Sequence, residues 1–353
     1  MLTSDRLDGI LRTLPRLTIG LVGDLFLDRY LELVAGSREL SIETGQEAYQ
    51  IERVRNSPGA LGTVLNNLAA LGVGLLVPVT AIGDDGHGYD LLKGLRKLPV
   101  DLANVLCLPD RLTPTYTKPM RLVDGAWQEL NRLDVRTRGP LSSAATAEVC
   151  RRLEIVFRSS DGLIVLDQLV DEDCGVVSAA VRDTLARLAS ESPDKLIFVD
   201  SRRFLAKFTA GVLKGNRSEV IGTVPDAGSA VGSALRGVPA APADADLMES
   251  IAALARRTGR PAYCTVGERG ILVAEPGQAV TLAPGVPVTG PIDIVGAGDS
   301  ATSGIVCGLL AGALPHEAAA LGNLVASITV QQLGTTGAAT PQQVREAWRR
   351  HNP

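Results

Sequence analysis

Aromatic side chains make up only 3% of the chain, so the core has to be built from Leu, Val, Ile and Ala. That favours helices packed on a buried parallel sheet. Histidine occurs three times, at His87, His316 and His351, which limits His-based chemistry. The five cysteines (Cys107, Cys150, Cys174, Cys264 and Cys307) are scattered and form no CxxC pair. A zinc ribbon and a thioredoxin motif are thereby excluded, and a reducing compartment fits. No GxxxxGK[ST] stretch occurs, so any nucleotide chemistry must use a design other than the P-loop. An excess of basic residues is also missing. The formal net charge is -4, which argues against nucleic acid or an anionic membrane as partner. The longest apolar stretch, near Gly304–Leu314, is shorter than the roughly 20 residues that span a bilayer. The first residues are interrupted by charges and show no apolar signal core. A cytoplasmic protein is expected.

The 353 residues are 45% hydrophobic and 21% charged, enough for a large folded core. Short apolar runs at Leu17–Gly23, Gly74–Ile82, Leu163–Leu166, Leu196–Val199, Ala262–Val266, Ile271–Ala274 and Val280–Ala283 predict strands. Helical patterns cover Gly59–Leu71, Ser143–Phe157, Val176–Ala189, Leu247–Arg256, Asp299–Leu310, His316–Gln332 and Gln342–Arg350. Thr223–Asp246 is rich in Ala, Gly and Pro and predicts a loop. Strands alternating with helices imply an α/β fold, a mostly parallel central sheet with helices on both faces. Two stretches break the rhythm. Arg29–Ser57 is polar and alternating, and Thr115–Leu133 alternates around Asp124-Gly125, a strong hairpin signal. One domain over 1–353 is expected, with a small β lid from segments near 29–57 and 112–134. Ligands of such sheets bind at the carboxyl ends of the strands, where Asp24, Asp167 and Asp200 fall.

The strongest chemical signal is Asp293-Ile-Val-Gly296-Ala297-Gly298-Asp299-Ser300, directly before an apolar helical run. A small-residue turn at a helix N-terminus leaves backbone N–H groups unpaired, and the helix dipole adds positive charge there. Together they suit an anion such as a phosphoryl group. Asp299, in the first turn, could accept a proton from an attacking hydroxyl. Its pKa is expected to stay unraised, because the dipole favours the ionised form. Three other readings of this segment compete. The dinucleotide fingerprint lacks its following strand and acidic residue. A Ser–His–Asp triad lacks a suitable His. A glycine turn that only packs a helix closely remains open from this motif alone.

Several ordered motifs together resemble the ribokinase-like (PfkB) carbohydrate kinase family. Asp293–Asp299 is similar to its DTxGAGD signature. Gly23-Asp24 with Asp28 resembles the GDxxxD opening, and Pro58–Gly72 the PGGAANVAxNLAxLG block. Gly83-Asp84-Asp85 resembles the VGDD turn, Asn216–Glu219 the NxxE motif and Thr265–Gly270 the TxGxxG motif. Pro114–Lys118, Arg132-Leu133-Asp134 and Gly334–Gly337 are similar to the heptose-phosphate kinase branch. The resemblance implies an enzyme that uses ATP and Mg²⁺, with a monovalent cation as an optional companion. Asp299 would be the general base, and Gly296, Ala297 and Gly298 the anion hole. Asp24, Asp28, Gly59, Ala60, Thr63, Lys118, Arg121 and Asp293 would bind the sugar. Lys214, Asn216, Glu219, Thr265, Gly267, Gly270 and Asn323 would border the nucleotide, with Asn216 and Glu219 organising the metal mostly through water. A homodimer through the lid is implied.

The departures bear on the sugar pocket. Ala60 replaces the second glycine of the GG pair, Thr63 replaces the sugar-contacting Asn, and Ile294 replaces the Thr of the signature. Asp167-Gln168 stands where the branch has DYxKG. Lys118, Arg121, Arg202 and Arg203 suggest that the acceptor already carries a phosphate. D-glycero-D-manno-heptose 7-phosphate, phosphorylated at the anomeric hydroxyl, is the resulting expectation. Another acceptor (a hexose phosphate, pentose or nucleoside) and a non-catalytic nucleotide- or sugar-binding regulator are the alternatives.

Overall fold

The computed structural model describes residues 2–36, 39–222, 244–334 and 336–352. Most of the loop expected over Thr223–Asp246, and residue 335 of the expected closing loop, lie outside them. The chain opens with α1 (Ser4–Thr13), a helix capped by the Thr3 hydroxyl that the sequence patterns above did not include. Next come β1 (Thr18–Gly23), β2 (Leu25–Leu33), the short β3 (Glu39–Leu40) and β4 (Glu47–Ala48), and β5 (Ile51–Ala60). They lead into α2 (Leu61–Ala70), β6 (Leu75–Gly83) and α3 (Gly86–Leu95). β7 (Val105–Leu108), β8 (Thr115–Val123), β9 (Ala126–Glu129) and β10 (Leu133–Val135) follow. The βα rhythm resumes with α4 (Ser143–Ser159), β11 (Gly162–Asp167), α5 (Ala179–Glu191), β12 (Leu196–Ser201), β13 (Val212–Asn216) and α6 (Arg217–Ile221). The last part holds α7 (Asp244–Thr258), β14 (Ala262–Thr265), β15 (Gly270–Ala274), β16 (Thr281–Pro284), α8 (Ala297–Leu310), α9 (Pro315–Thr329) and α10 (Pro341–His351).

Nine strands form the main sheet, in the order β16-β15-β14-β13-β12-β11-β1-β6-β7. Pairing is parallel from β7 to β14, and the last two pairs, β14 with β15 and β15 with β16, are antiparallel, so only β15 runs against the rest. Leu163, Ile164, Val165 and Leu166 of β11 are all fully buried, as a strand covered on both faces requires. One face carries a core with Leu7, Leu65, Leu91, Ile305, Leu324 and Val344 from α1, α2, α3, α8, α9 and α10. The other carries Val149, Val181, Val220 and Leu247 from α4, α5, α6 and α7. This is the doubly wound architecture expected from the alternation of strands and helices. The order of strands reverses at β1, where ligand crevices of such folds open.

A second sheet has the order β10-β8-β2-β5, with β9 paired to β8. Its hairpin at Asp124-Gly125 has φ of 49° and 80°, the left-handed pair that a tight two-residue turn needs. Only Asp24 separates β1 of the main sheet from β2 of the small one. β5 enters α2 without a linker, so the predicted helix start at Gly59 moves to Leu61. The two crossings are tied together, because the Leu61 N–H donates to the Asp24 carbonyl at 3.0 Å. Ala60, at the second crossing, has φ 52° and ψ -115°, a conformation that glycine adopts far more readily.

Candidate active site

α8 starts at the glycine turn. Gly296 sits in the left-handed region at φ 81°, and no side chain caps the helix. The Ala297 N–H donates to the Ile294 carbonyl at 3.1 Å, and the Ser300 N–H returns to Gly296 at 2.9 Å. The amides left without an intrahelical acceptor are therefore those of Gly298 and Asp299. This corrects the expectation for Ala297, whose amide is already spent in the turn.

Beneath the turn lies a buried ion pair. Lys214, in the middle of β13, donates from Nζ to Asp200 Oδ2 at 2.6 Å, and Thr302 Oγ1 donates to the same oxygen at 2.8 Å. A methyl on Gly298 would stand 3.5 Å from Lys214 Nζ, so the cation lies directly against the turn. Burial opposes the Lys214 charge, but Asp200 and Asp299 outweigh it and raise the pKa. Asp299 behaves differently from expectation. Burial, joined by the Asp200 charge, pushes its pKa up to about 7, against the pull of Lys214 and Arg202. The helix dipole does not keep this carboxylate in the ordinary range. Desolvation by the walls around it is the stronger effect.

Gly296 and Asp299 face a cavity of about 400 Å³ between the two sheets. Asp28, Ala60, Thr63 and Lys118, all expected at the sugar, line it as well. Lys118 Nζ stands 3.4 Å from Asp28 Oδ1 and 4.9 Å from the Tyr30 ring centre. Burial lowers the Lys118 pKa, and Asp28 and Tyr30 more than reverse this. Gly59 does not line the cavity but makes room for its carboxylate. A Cβ there would sit 2.4 Å from Asp28 Oδ2. Asp293 stiffens the turn by accepting from the Val295 N–H at 3.0 Å and the Gly334 N–H at 3.3 Å.

The structure gives other expected residues a different place. Asp24 is buried, and its carboxylate accepts the Val176 N–H at 2.8 Å and the Gln168 N–H at 3.4 Å. It cages the loop after β11 instead of facing the cavity, and burial raises its pKa despite these bonds. Arg121 pairs with Glu47 at 2.6 Å and lies against Tyr49, away from the cavity. Side chains alternate along a strand, so positions 118 and 121 face opposite ways. Asn323 is buried and donates from Nδ2 to the Ala283 and Pro284 carbonyls at 2.9 and 3.0 Å. Its donors tie α9 to β16 and are not offered to a nucleotide base.

Asn216 and Glu219 form a capping box at the start of α6. Asn216 Oδ1 accepts the Glu219 N–H at 3.0 Å, and Glu219 Oε2 accepts the Asn216 N–H at 2.7 Å. Burial raises the Glu219 pKa, and Asp200 adds to the rise. Among the described residues no group of three or more His, Cys, Asp or Glu is poised for a metal. Such a sparse donor set suits Mg²⁺, which keeps most of its own waters, better than Zn²⁺ or Ca²⁺. Thr265 closes β14, and Gly267 follows it at φ 66° with open space around its Cβ position. Gly270 is a packing glycine, since a Cβ there would meet the Ala283 carbonyl at 2.2 Å.

Three groups escaped the sequence reading as site residues. Arg132 and Arg136 line the cavity and share Asp134, Arg132 by two bonds of 2.7 and 2.9 Å and Arg136 by one of 3.2 Å. Arg132 also covers the Tyr116 ring at 4.5 Å. Their signal was the Arg-Leu-Asp stretch, whose strand β10 pairs Asp134 with Tyr116 of β8. Asn67 joins α2 to α8 by accepting from Ser300 Oγ at 3.2 Å.

Phosphoryl transfer to a hydroxyl is the chemistry that open amides, a buried cation and a nearby carboxylate suit. On that basis the site is suited to phosphoryl transfer, and it sits on a ribokinase-like fold. Residues 210–343 match the pfkB family carbohydrate kinase profile. Among curated proteins it is 29% identical over 332 residues to "Bifunctional protein HldE" of Trichlorobacter lovleyi, covering 92% of this chain and 61% of that protein. The same-named protein of Caulobacter sp. (strain K31) is 30% identical over 337 residues, covering 93% and 63%. The chain thus spans about three fifths of the length of these relatives. Arabidopsis thaliana ribokinase, solved with ribose and ATP, shares the fold at a TM-score of 0.65 and 15% identity, covering 94% of this chain and 98% of that one. Escherichia coli phosphofructokinase-2, solved with substrates and products, does so at 0.65 and 16%, covering 95% and 100%. No helix among the described residues is long and apolar enough to cross a membrane.

Proposed function

We propose that the protein is a sugar kinase that moves the γ-phosphoryl group of ATP to a hydroxyl of a sugar phosphate, with D-glycero-D-manno-heptose 7-phosphate at its anomeric hydroxyl as the acceptor. The observation that carries this reading is the cavity lining. Asp299 and Gly296 at the mouth of α8 line it together with Lys118 of β8 and with Arg132 and Arg136, which flank β10. A neutral sugar needs no such concentration of cations, whereas a phosphate does. Asp299 takes the hydroxyl proton, and its raised pKa matches a base working near neutrality. The amides of Gly298 and Asp299 face the transferred group, and Lys214 supplies fixed positive charge below them. ATP lies along β13 and β14, toward Thr265 and Gly267. Asn216 and Glu219 would hold Mg²⁺, which would neutralise phosphate charge.

In this reading the small sheet is a lid that excludes water from the cavity. Exposed Ile51, Val54 and Trp127 on it, with Ile42 and Tyr49 in the neighbouring chain between β3 and β5, support a homodimer through that sheet, which light scattering checks. The acceptor is tested by ADP release with a panel containing the heptose 7-phosphate, hexose phosphates, free heptose, pentoses and nucleosides. The heptose 7-phosphate should give the highest kcat/KM. Equal activity on free and phosphorylated sugars would remove the phosphate from the proposal.

A further inference from the structure

Four cations line the cavity: Lys118, Arg132, Arg136 and Arg202. Three are already matched, Lys118 to Asp28 and both Arg132 and Arg136 to Asp134. Arg202 has no carboxylate partner among the described residues. It also comes from elsewhere. The other three belong to the small sheet and its return strand, whereas Arg202 follows β12 of the main sheet.

Its backbone is held firmly while its side chain is exposed. The Arg202 N–H donates to the Asp167 carbonyl at 2.9 Å. Ser201 Oγ donates to Asp167 Oδ2 at 2.8 Å and accepts the Phe204 N–H at 3.0 Å. The guanidinium is thus launched from a fixed point beside the reacting end of the cavity. Its charge acts on both Asp299 and Glu219. These groups bracket the place where the phosphoryl group changes partners.

We infer that Arg202 is a catalytic residue that holds the migrating phosphoryl group, and not a ligand for a phosphate already on the acceptor. The inference rests on the kinase reading above. In the transfer, the acceptor oxygen bonds to the γ-phosphorus as the bond from that phosphorus to the β,γ-bridging oxygen breaks. ADP leaves with the bridging electron pair, and the hydroxyl proton passes to the Asp299 carboxylate. Negative charge on the three outer oxygens of the group in flight exceeds what two amides can meet. Lys214 is committed to Asp200 below the turn, which leaves Arg202 as the cation free to follow the group.

Arg202→Met and Arg202→Lys test this, with two readouts. The first is binding of MgATP and of MgADP with aluminium fluoride, a mimic of the phosphoryl group in flight, by calorimetry. Arg202→Met should bind the mimic about 100-fold more weakly while MgATP changes less than about threefold. Arg202→Lys should recover part of the loss. The second is turnover on the best acceptor of the panel, where kcat should fall about 100-fold with acceptor KM nearly unchanged. A raised acceptor KM with kcat intact would make Arg202 an acceptor ligand and overturn the inference. So would unchanged binding of the mimic. Wild-type protein that binds neither MgATP nor the mimic would instead overturn the kinase reading itself.

Discussion

Replacing Asp299 by Asn keeps the shape of the turn and removes the proton acceptor. A positioned general base contributes on the order of 100- to 10,000-fold, so kcat should fall by that much while MgATP still binds. The wild-type rate should itself depend on pH. The base works ionised, so turnover should fall as pH drops through about 7, the value to which burial and Asp200 raise this carboxylate. Stability should move the opposite way. The folded state holds the proton between the ordinary 3.8 and about 7, so stability from this group is full below pH 3.8. It is lost as pH rises through about 7. At about 1.4 kcal/mol per pH unit, the full cost of the ionised carboxylate is about 4 kcal/mol, and partial exposure reduces it to about 2 kcal/mol. Asp299→Asn escapes that cost. Its urea-melt advantage over wild type should be small near pH 4 and reach about 2 kcal/mol near pH 8. A variant with normal turnover, or a wild-type rate flat from about pH 6 to 8, would refute the assignment of this base.

Two other substitutions probe the cavity wall. Ala60→Gly should raise stability by about 1 kcal/mol in urea melts, because φ 52° strains a residue with a Cβ. No gain would mean that the helix start tolerates the alanine. Gly59→Ala puts a methyl 2.4 Å from Asp28 Oδ2 and must displace the carboxylate from Lys118. Acceptor KM should rise about tenfold with kcat less affected, and steady-state kinetics on the best acceptor decides it.

Much of the main sheet was legible because its strands are uniform apolar runs and its helices carry a regular apolar face. The mouth of α8 was legible for a similar reason, since small residues before an apolar helix have a purely local meaning. The ionisation of Asp299 was not. It depends on Asp200 and Lys214, about 100 and 85 residues away in sequence, which the parallel sheet brings under the turn. Asp24 was misplaced because its partners, the amides of Gln168 and Val176, belong to a loop whose path no local pattern fixes. Arg121 was a different case. The alternation along β8 was already visible, and it sets that side chain on the face opposite Lys118.

The paired crossings at Asp24 and Ala60 have a mechanical consequence. They are bonded to each other, and a few residues further out Asp90 of α3 meets the Arg29 guanidinium at 3.9 Å and the Asn56 amide at 2.8 Å. The small sheet is therefore fixed to the main body along its base and not at a single point. β2 runs nine residues from the crossing, about 30 Å at strand spacing. Flexing of the sheet should be confined to its outer end, with Thr63 and the mouth of α8 kept in place.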